Sequence, residues 1–328
     1  MTNQNTKCDF LGDNQVIRRD KDSRAERATV AAIIVLYHPN PSLLMRLIDS
    51  IIAEVDRLFV VDNTPGANSN PPALFLHCAI SVSYHAPGIN KGVATAQNIG
   101  IRRAIEENYT HVILLDQDSA LPKDAIASLL AAEHLLLQAG YKIAAVGPLF
   151  VDEKSGERSC AVRHALLRVQ RILIGPSETA PVETDYLISS GSLIRTSMLS
   201  KVGLMRDELF IDWVDAEWAY RARSFGYRTY IAPNVLMTHS IGDATARVLG
   251  RRIYLHNAAR DYYIVRNAAY LLREPRMGWR WRLVTLVNLP KHIVIHSWFS
   301  QKPFSRLSQM LHAMWEGLFG KMRGFSAI

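Results

Sequence analysis

The sequence alternates short apolar runs with segments of helical apolar spacing across residues 29–150. The apolar run 29–36 is followed by a segment of helical apolar spacing at 41–55, and the same succession then recurs. Short apolar runs of this kind are typical of strands buried on both faces, and strands that alternate with helices form a mostly parallel sheet covered by helices. The pattern predicts further strands at 58–61, 80–84, 111–115 and 143–146, with helices at 92–107 and 122–138.

Composition excludes several classes of protein. The chain has 328 residues, of which 48% are hydrophobic and 21% charged, so it can bury a substantial core and is neither disordered nor collagen-like. Its three cysteines, Cys8, Cys78 and Cys160, form no CxxC pair, which argues against a disulfide framework and favours a reducing compartment. Residues 1–28 contain no apolar run, so we predict a flexible extension and not a secretory signal.

Positive charge is concentrated at the C-terminal end. Residues 273–328 carry nine Lys or Arg against two Glu, which is +7 of the net +8, together with four of the six tryptophans. Such a mixture is typical of a segment at a membrane interface, and the stretch 283–299 is too interrupted to span a bilayer. The alternative is a helical subdomain with solvated basic residues. Nucleic-acid binding is not expected, because no recognised motif accompanies the charge.

Two carboxylates directly follow a predicted strand. Asp116 and Asp118 are separated by Gln117 and stand after the apolar run HVILL. Both side chains can face a ligand beyond the strand end, and hard oxygen donors suit Mg²⁺ or Mn²⁺, which stabilise a departing diphosphate. The alternative is a solvated turn.

Two further polar segments occupy similar places. Asp62 follows the second strand. Its carboxylate would accept a hydrogen bond from the imide N–H of a pyrimidine base, or else form an Asx-turn. The segment 90–100, which includes Asn90, Gly92 and Asn98, opens a helix with small residues and amides. Small side chains let the backbone approach a ligand, and helix N-termini favour anions; close helix–sheet packing is the alternative.

An acidic segment with aromatic neighbours lies at 210–218. Asp212 and Asp215 are three residues apart and can share a helix face. Partial desolvation by the neighbouring aromatic rings raises the pKa of a carboxylate and makes it a better general base. A helix first turn rich in acids is the alternative.

A histidine followed by arginines completes the candidate set. His239 could complete a metal shell, and arginines could clamp phosphates through two hydrogen bonds each. The candidates here are Arg247, Arg260, Tyr263 and Arg266, of which the last three can share a face of one helix. The alternative is a cationic helix surface.

Taken together, these pieces resemble the family-two nucleotide-sugar glycosyltransferases of the GT-A fold, and most closely their bacterial L-rhamnosyltransferases. The resemblance covers residues 30–270 and rests on seven segments: LYHPN (36–40), VVDNT (60–64), NKGVATAQNIGI (90–101), VILLDQDSALP (112–122), YLISSGSLIR (186–195), ELFIDWVDAEWAYRARSFGY (208–227) and THSIGD (238–243).

The resemblance implies roles for individual residues. Asp215 would deprotonate the acceptor, although Val214 stands where many family members have Glu, and Asp212 remains a rival for this role. Asp62 would read the donor base. A Mg²⁺ or Mn²⁺ ion would be held by Asp116, Asp118 and His239. The nucleotide-sugar site would comprise Tyr37, Asp62, Asn90, Gly92, Asn98, Asp116, Gln117, Arg247, Arg260, Tyr263 and Arg266.

The implied function is inverting transfer of L-rhamnose from dTDP-β-L-rhamnose to a glycolipid or lipid-linked glycan of the rhamnolipid, lipopolysaccharide-core or O-antigen type. The expected place is the cytoplasmic face of the inner membrane. The expected domains are a GT-A domain at 29–272, with a nucleotide-binding half (29–150) and an acceptor half (151–272), and an amphipathic, membrane-proximal extension at 273–328.

Three alternatives remain at this point. The donor could carry another sugar. A sugar-1-phosphate nucleotidyltransferase would need a Gly-rich, basic loop after the first strand, where 37–41 reads YHPNP. A non-catalytic glycan-binding module would tolerate loss of the acidic residues, which this chain retains.

Overall fold

The computed structural model describes residues 27–152, 156–239, 244–248 and 251–322, so most of the expected N-terminal extension lies outside the described residues. The first half follows the expected alternation. Its elements are β1 (Val30–Leu36), α1 (Pro41–Ile51), β2 (Arg57–Asp62), β3 (Val82–His85), α2 (Gly92–Glu106), β4 (His111–Asp116), α3 (Ala125–Gln138) and β5 (Ile143–Asp152).

The second half is less regular. Its strands are β6 (Cys160–Ala165), β7 (Arg168–Leu173), β8 (Val182–Thr184), β9 (Leu193–Arg195), β10 (Arg228–His239), β11 (Ala244–Val248) and β12 (Arg251–Leu255). Its helices are α4 (Thr196–Val202), α5 (Val214–Ser224), α6 (Ala258–Leu271), α7 (Trp279–Trp298) and α8 (Pro303–Leu318).

Eight strands form one mostly parallel sheet in the order β3-β2-β1-β4-β9-β5-β10-β8. The pairs β2–β3, β1–β2, β1–β4 and β5–β10 are parallel, whereas β9 lies antiparallel between β4 and β5 and β8 lies antiparallel on the edge. The expected α/β architecture with helices around a mostly parallel sheet is therefore confirmed.

The register of the sheet places the acidic strand ends together. Leu36 of β1 is opposite Asp62 of β2, and Val35 is opposite Asp116 of β4. Because parallel strands end at the same edge, both carboxylates lie at the carboxyl edge of the sheet, where ligands bind in open α/β folds.

Helix α1 is shorter than the sequence predicts, and one residue beyond its end contacts another helix. The predicted helix 41–55 ends at Ile51, and Glu54 lies in the turn that follows. Its carboxylate accepts hydrogen bonds from the N–H groups of Ile126 and Ala127 in the first turn of α3. Glu54 therefore supplies the N-terminal cap of α3, whose own N-cap position, Asp124, makes no such bond.

The three C-terminal helices share one core. Residues of α6, α7 and α8 form a buried apolar cluster that includes Val265, Ile293 and Met310. Gly317 of α8 allows close packing, because a Cβ there would lie 2.1 Å from the carbonyl oxygen of Arg266. The expected boundary between residues 272 and 273 lies between α6 and the helices α7 and α8, and these three helices pack together.

Among the described residues, no helix combines the length and the apolarity needed to cross a bilayer.

Candidate active site

The acidic turn after β4 is held by a serine from the segment before β9. The N–H of Asp116 donates a hydrogen bond to the hydroxyl of Ser190 at 3.0 Å, and that hydroxyl also contacts the hydroxyl of Ser119 at 2.7 Å. Asp116 and Asp118 are both partly exposed. Both side chains stand at the edge of the sheet, and the backbone of Asp116 is held by Ser190.

Gln117, between the two acids, connects this turn to the end of β1. Its side-chain oxygen accepts from the N–H of Tyr37 at 2.8 Å, and its side-chain nitrogen donates to the carbonyl of Tyr37 at 3.0 Å. Gln117 thus fixes the backbone of Tyr37, and Tyr37 itself is 48% exposed, so it can contact a ligand.

The end of β10 adjoins the acidic turn. Thr238 and Ala120 exchange two backbone hydrogen bonds, at 3.0 and 3.1 Å. His239 follows Thr238, and Ala120 is two residues beyond Asp118, so the backbone of His239 lies near this turn. The side chains of His239 and Arg247 lie outside the described atoms.

Asp62 is buried at the end of β2. One carboxylate oxygen accepts from the N–H of Thr64 at 2.9 Å, and the other accepts from the hydroxyl of Tyr84 at 2.8 Å. Burial and the hydrogen bond to Asp62 raise the pKa of Tyr84. The Asx-type contact with Thr64 confirms that Asp62 shapes its own turn, and each oxygen retains a further lone pair for a ligand.

The start of α2 is packed tightly against the loop before α5. Gly92 has a φ of +82°, and a Cβ there would lie 2.6 Å from Phe210. The carbonyl of Gly92 accepts from Asn63, and its N–H donates to Asn90. Asn98, which the sequence suggests as a ligand contact, is buried and bonds Met205 and Asp207 instead.

Helix α6 holds the loop 208–213, which we call the acid loop. Asn267 donates to the carbonyls of Leu209, Ile211 and Asp212, and Arg266 donates to the carbonyls of Glu208 and Leu209. Arg266 is 1% exposed, so the structure places it beneath the loop and away from solvent.

Two other predicted residues of α6 also contact the acid loop. The Tyr263 ring stacks on Phe210 with 4.8 Å between centroids, and Arg260 forms an ion pair with Asp212 at 3.1 Å. Arg260, Tyr263 and Arg266 do share one side of the helix, as the spacing predicts. In the structure that side faces the loop which carries the acids.

The acid loop has an unusual backbone. Phe210, Asp212 and Trp213 all have positive φ angles between 60° and 66°, a region that L-residues seldom occupy and that costs about 1–3 kcal/mol each. The loop persists because the side chains of α6 satisfy its carbonyls. Strain of this kind clusters at functional sites.

Asp215 lies in the first turn of α5, directly after the acid loop. Burial raises its pKa to about 6, the charges of Asp212 and Asp116 add to the rise, and the N–H of Ala216 opposes it. Burial also raises the pKa of Asp212, against the opposing charge of Arg260. The surroundings of the two carboxylates differ. Asp212 forms an ion pair with Arg260, whereas Asp215 forms none within the described part of the chain.

Asp215 lies close enough to the acidic turn for the charge of Asp116 to contribute to its raised pKa. Asp215 lines a small cavity with Leu114, Ser189 and Ser192, which lie within two residues of Asp116 and Ser190. A larger cavity of about 250 Å³ is lined by Ser190, Tyr186, Arg158 and Arg171, among other residues.

Some residues of this region escape sequence reasoning. Ser190 and Tyr186 stand in the segment YLISSGSLIR, but nothing in their spacing indicates contact with the acids. Burial, with the charge of Asp215 next in importance, raises the pKa of Tyr186 to about 12, so its hydroxyl stays protonated at neutral pH.

Comparison with known proteins adds independent information. No family model matches the sequence. The chain is 33% identical over 249 residues to the dTDP-rhamnosyl transferase RfbF of Shigella flexneri, a match that covers 75% of this chain and 81% of the relative.

Solved structures share the fold at low sequence identity. GalNAc-T7 with UDP, GalNAc and Mn²⁺ superposes with a TM-score of 0.52 at 16% identity, over 87% of this chain, which spans only 57% of that longer protein. TarS residues 1–349 from S. aureus, in complex with UDP-GlcNAc, superposes with a TM-score of 0.53 at 13% identity, over 88% of this chain and 81% of that one.

The raised pKa of Asp215 predicts a stability change. Because folding raises this pKa from 3.8 to about 6, ionisation destabilises the folded protein: the penalty is absent below about pH 4, grows through the window between the two pKa values and is complete above about pH 6. We expect Asp215→Asn to raise the free energy of unfolding by up to about 3 kcal/mol at neutral pH and to have little effect near pH 4.

Thermal unfolding of both proteins at about pH 4 and about pH 7.5 measures this difference. The matched control is Asp124→Asn, at an exposed position where asparagine also tolerates the positive φ of 60°. An Asp215→Asn protein no more stable than wild type at the higher pH would contradict the prediction.

Proposed function

Since the chain belongs to the family-two glycosyltransferases, in the bacterial L-rhamnosyltransferase branch, we propose that it transfers L-rhamnose from dTDP-β-L-rhamnose to a hydroxyl group of a glycolipid or lipid-linked glycan, with inversion at the anomeric carbon. Candidate acceptors are those of rhamnolipid, lipopolysaccharide-core or O-antigen synthesis.

One observation carries this proposal: the carboxylate of Asp215 has a raised pKa and lies close enough to the acidic turn to feel the charge of Asp116. Asp215 would be ionised at neutral pH, yet with a pKa of about 6 it would be a stronger base than an ordinary aspartate. A base tuned toward the working pH is what proton abstraction from a hydroxyl requires. Asp212 is the weaker candidate, because its carboxylate is engaged by Arg260.

The proposed step is a single displacement. The acceptor oxygen forms a bond to the anomeric carbon as the bond from that carbon to the diphosphate oxygen breaks. Asp215 takes the proton from the attacking hydroxyl, and dTDP leaves with the electron pair of the broken bond. Attack from the side opposite the leaving group converts the β-linked donor into an α-L-rhamnoside.

The acidic turn fits a divalent cation. Asp116 and Asp118 present hard oxygen donors at a strand end, and the bond from Asp116 N–H to Ser190 fixes their backbone. When bound there, Mg²⁺ or Mn²⁺ would neutralise the charge that develops on the diphosphate. We propose His239 as a third ligand, because its backbone follows the pairing of Thr238 with Ala120.

The remaining predicted residues divide into two proposed groups. Tyr37, Asp62, Asn90, Gly92 and Arg247 would contact the nucleotide, with Asp62 reading the thymine base. The second group would hold the loops of the site in place, since each member contacts other protein groups there. Its members are Asn98, Gln117, Arg260, Tyr263 and Arg266. The 250 Å³ cavity beside Ser190 is of a size to receive one sugar ring.

The tip between α7 and α8, residues 298–304, is suited to a lipid surface. Trp298 is 77% exposed and Phe304 is 88% exposed, Phe299 is also exposed, and Lys302 lies between them. Aromatic rings and cations of this kind partition into the headgroup region of anionic membranes. We propose that this tip docks at the cytoplasmic face of the inner membrane. Trp281 does not take part, because it is buried against Trp213.

The donor proposal predicts nucleotide-sugar selectivity. We expect dTDP-L-rhamnose with Mg²⁺ or Mn²⁺ to be hydrolysed slowly, and faster with a rhamnosyl acceptor from a bacterial lipid extract, while UDP-GlcNAc and UDP-GalNAc are poor donors. Release of the nucleoside diphosphate measures this. Asp118→Asn should remove the metal-dependent activity. Preference for a UDP-sugar would overturn the donor assignment and leave glycosyl transfer itself standing.

The base proposal predicts a kinetic signature. Asp215→Asn should lower turnover by about 10²- to 10⁴-fold, with donor affinity nearly unchanged, because only proton transfer is lost. In the wild-type protein, kcat/KM should fall about tenfold per pH unit below an apparent pKa of about 6, since the protonated acid cannot accept a proton. Equal turnover in Asp215→Asn and wild type would show that Asp215 is not the base. The comparison variant is Asp212→Asn, which leaves Asp215 unchanged.

The docking proposal predicts lipid-dependent binding. Co-sedimentation with phosphatidylglycerol vesicles should weaken by about tenfold or more in Trp298→Ser/Phe304→Ser, because two apolar side chains no longer enter the interface. The matched control is Leu166→Ser/Leu173→Ser, which removes two comparably exposed apolar side chains from the β6–β7 hairpin. Equal binding by both double variants would place the lipid contact elsewhere.

A further inference from the structure

Side chains from two C-terminal helices meet behind the acid loop. His292 and His296 are four residues apart on α7 and so face the same way, toward Asp261 of α6. Nδ1 of His296 lies 2.9 Å and Nε2 of His292 lies 3.4 Å from the same oxygen, Oδ1 of Asp261. All three atoms lie within 4.8 Å of one another, close enough to bind one ion together.

These three atoms are buried without hydrogen bonds. The side chains of Asp261 and His296 are only 1% and 6% exposed. Despite their short separations, Asp261 Oδ1, His292 Nε2 and His296 Nδ1 have no hydrogen-bond partner of acceptable geometry within the described part of the chain. Buried polar atoms are normally satisfied, so three unsatisfied atoms within 4.8 Å of one another indicate a site for a ligand.

The other oxygen of Asp261 is already engaged. Arg306 of α8 forms an ion pair with Oδ2, so Oδ1 is the oxygen that faces the two histidines. Carboxylates that bind metals are generally held in this way by a second group. The ring of His256 packs near that of His296, with 5.7 Å between centroids, so the surroundings are rich in imidazole.

We propose that Asp261, His292 and His296 form a site for a divalent transition metal, with Zn²⁺ the best fit. Two imidazole nitrogens and one carboxylate oxygen are a common zinc donor set, completed by water in the fourth position. Hard cations such as Mg²⁺ prefer oxygen ligands, so this site differs in chemistry from the acidic turn. Paired histidines at this helical spacing are also used by known zinc sites.

The ion would join the C-terminal helices to the acid loop. It would bridge α6 and α7, while Arg306 links α8 to the same carboxylate. Arg260, the neighbour of Asp261, holds Asp212 in the acid loop. The role is therefore structural: the ion fixes the helix whose polar side chains position the acids.

Zinc binding by the full-length chain tests this directly and requires neither donor nor acceptor, so its outcome is independent of the proposed transfer reaction. Chelator-treated protein is titrated with Zn²⁺ in excess Mg²⁺, which occupies the acidic turn, and bound zinc is counted by mass spectrometry. We expect one Zn²⁺ per chain, a rise in melting temperature on binding, and a visible spectrum typical of four-coordinate Co²⁺ on substitution.

Variants assign the ligands. His296→Ala and the milder His292→Gln, at a partly exposed side chain, should weaken Zn²⁺ binding by about tenfold or more and abolish the rise in melting temperature. His134→Ala on the exposed face of α3 is the matched control, and Asp118→Asn should retain the zinc. The proposal is overturned if the wild-type chain retains no zinc, if His292→Gln binds as tightly as wild type, or if Asp118→Asn loses the ion.

Discussion

The hydrogen bonds from α6 to the acid loop are the interaction on which the rest of the site depends. Three residues of this loop have positive φ angles, and a loop with that backbone would relax if its carbonyls were free to rotate toward water. Asn267 alone binds three of those carbonyls, and Arg266 binds two. Because α5 begins where the loop ends, the position of Asp215 follows from this arrangement.

The nucleotide half of the fold could be predicted from the sequence because its signals are local. Each strand is a short apolar run, and an acid at the end of a parallel strand must lie at the ligand edge of the sheet, which is where Asp62 and Asp116 are found. Strand β9 could not be predicted in the same way. It has three residues, and its place between β4 and β5 is decided by pairing with residues far away in the chain.

Residue types at the candidate site could be recognised, whereas their partners could not. Arg266 and Asn98 have the chemistry of phosphate and sugar contacts, but both are buried and bond protein groups, because the loops they hold come from other parts of the sequence. The same reason hides the group of Asp261, His292 and His296. The two histidines interrupt an apolar stretch in the sequence, and only the packing of α7 on α6 brings them to the aspartate.

The two hydrogen bonds between Gln117 and the backbone of Tyr37 carry a consequence for how the site responds to its surroundings. An amide side chain has no ionisable proton, so this cross-link between two strand ends is indifferent to acidity and only weakly sensitive to ionic strength. This cross-link beside the acidic turn and the ionisation of Asp215 therefore respond separately to the pH of the medium. A loss of rate in mild acid would therefore not arise from a break between these two strand ends.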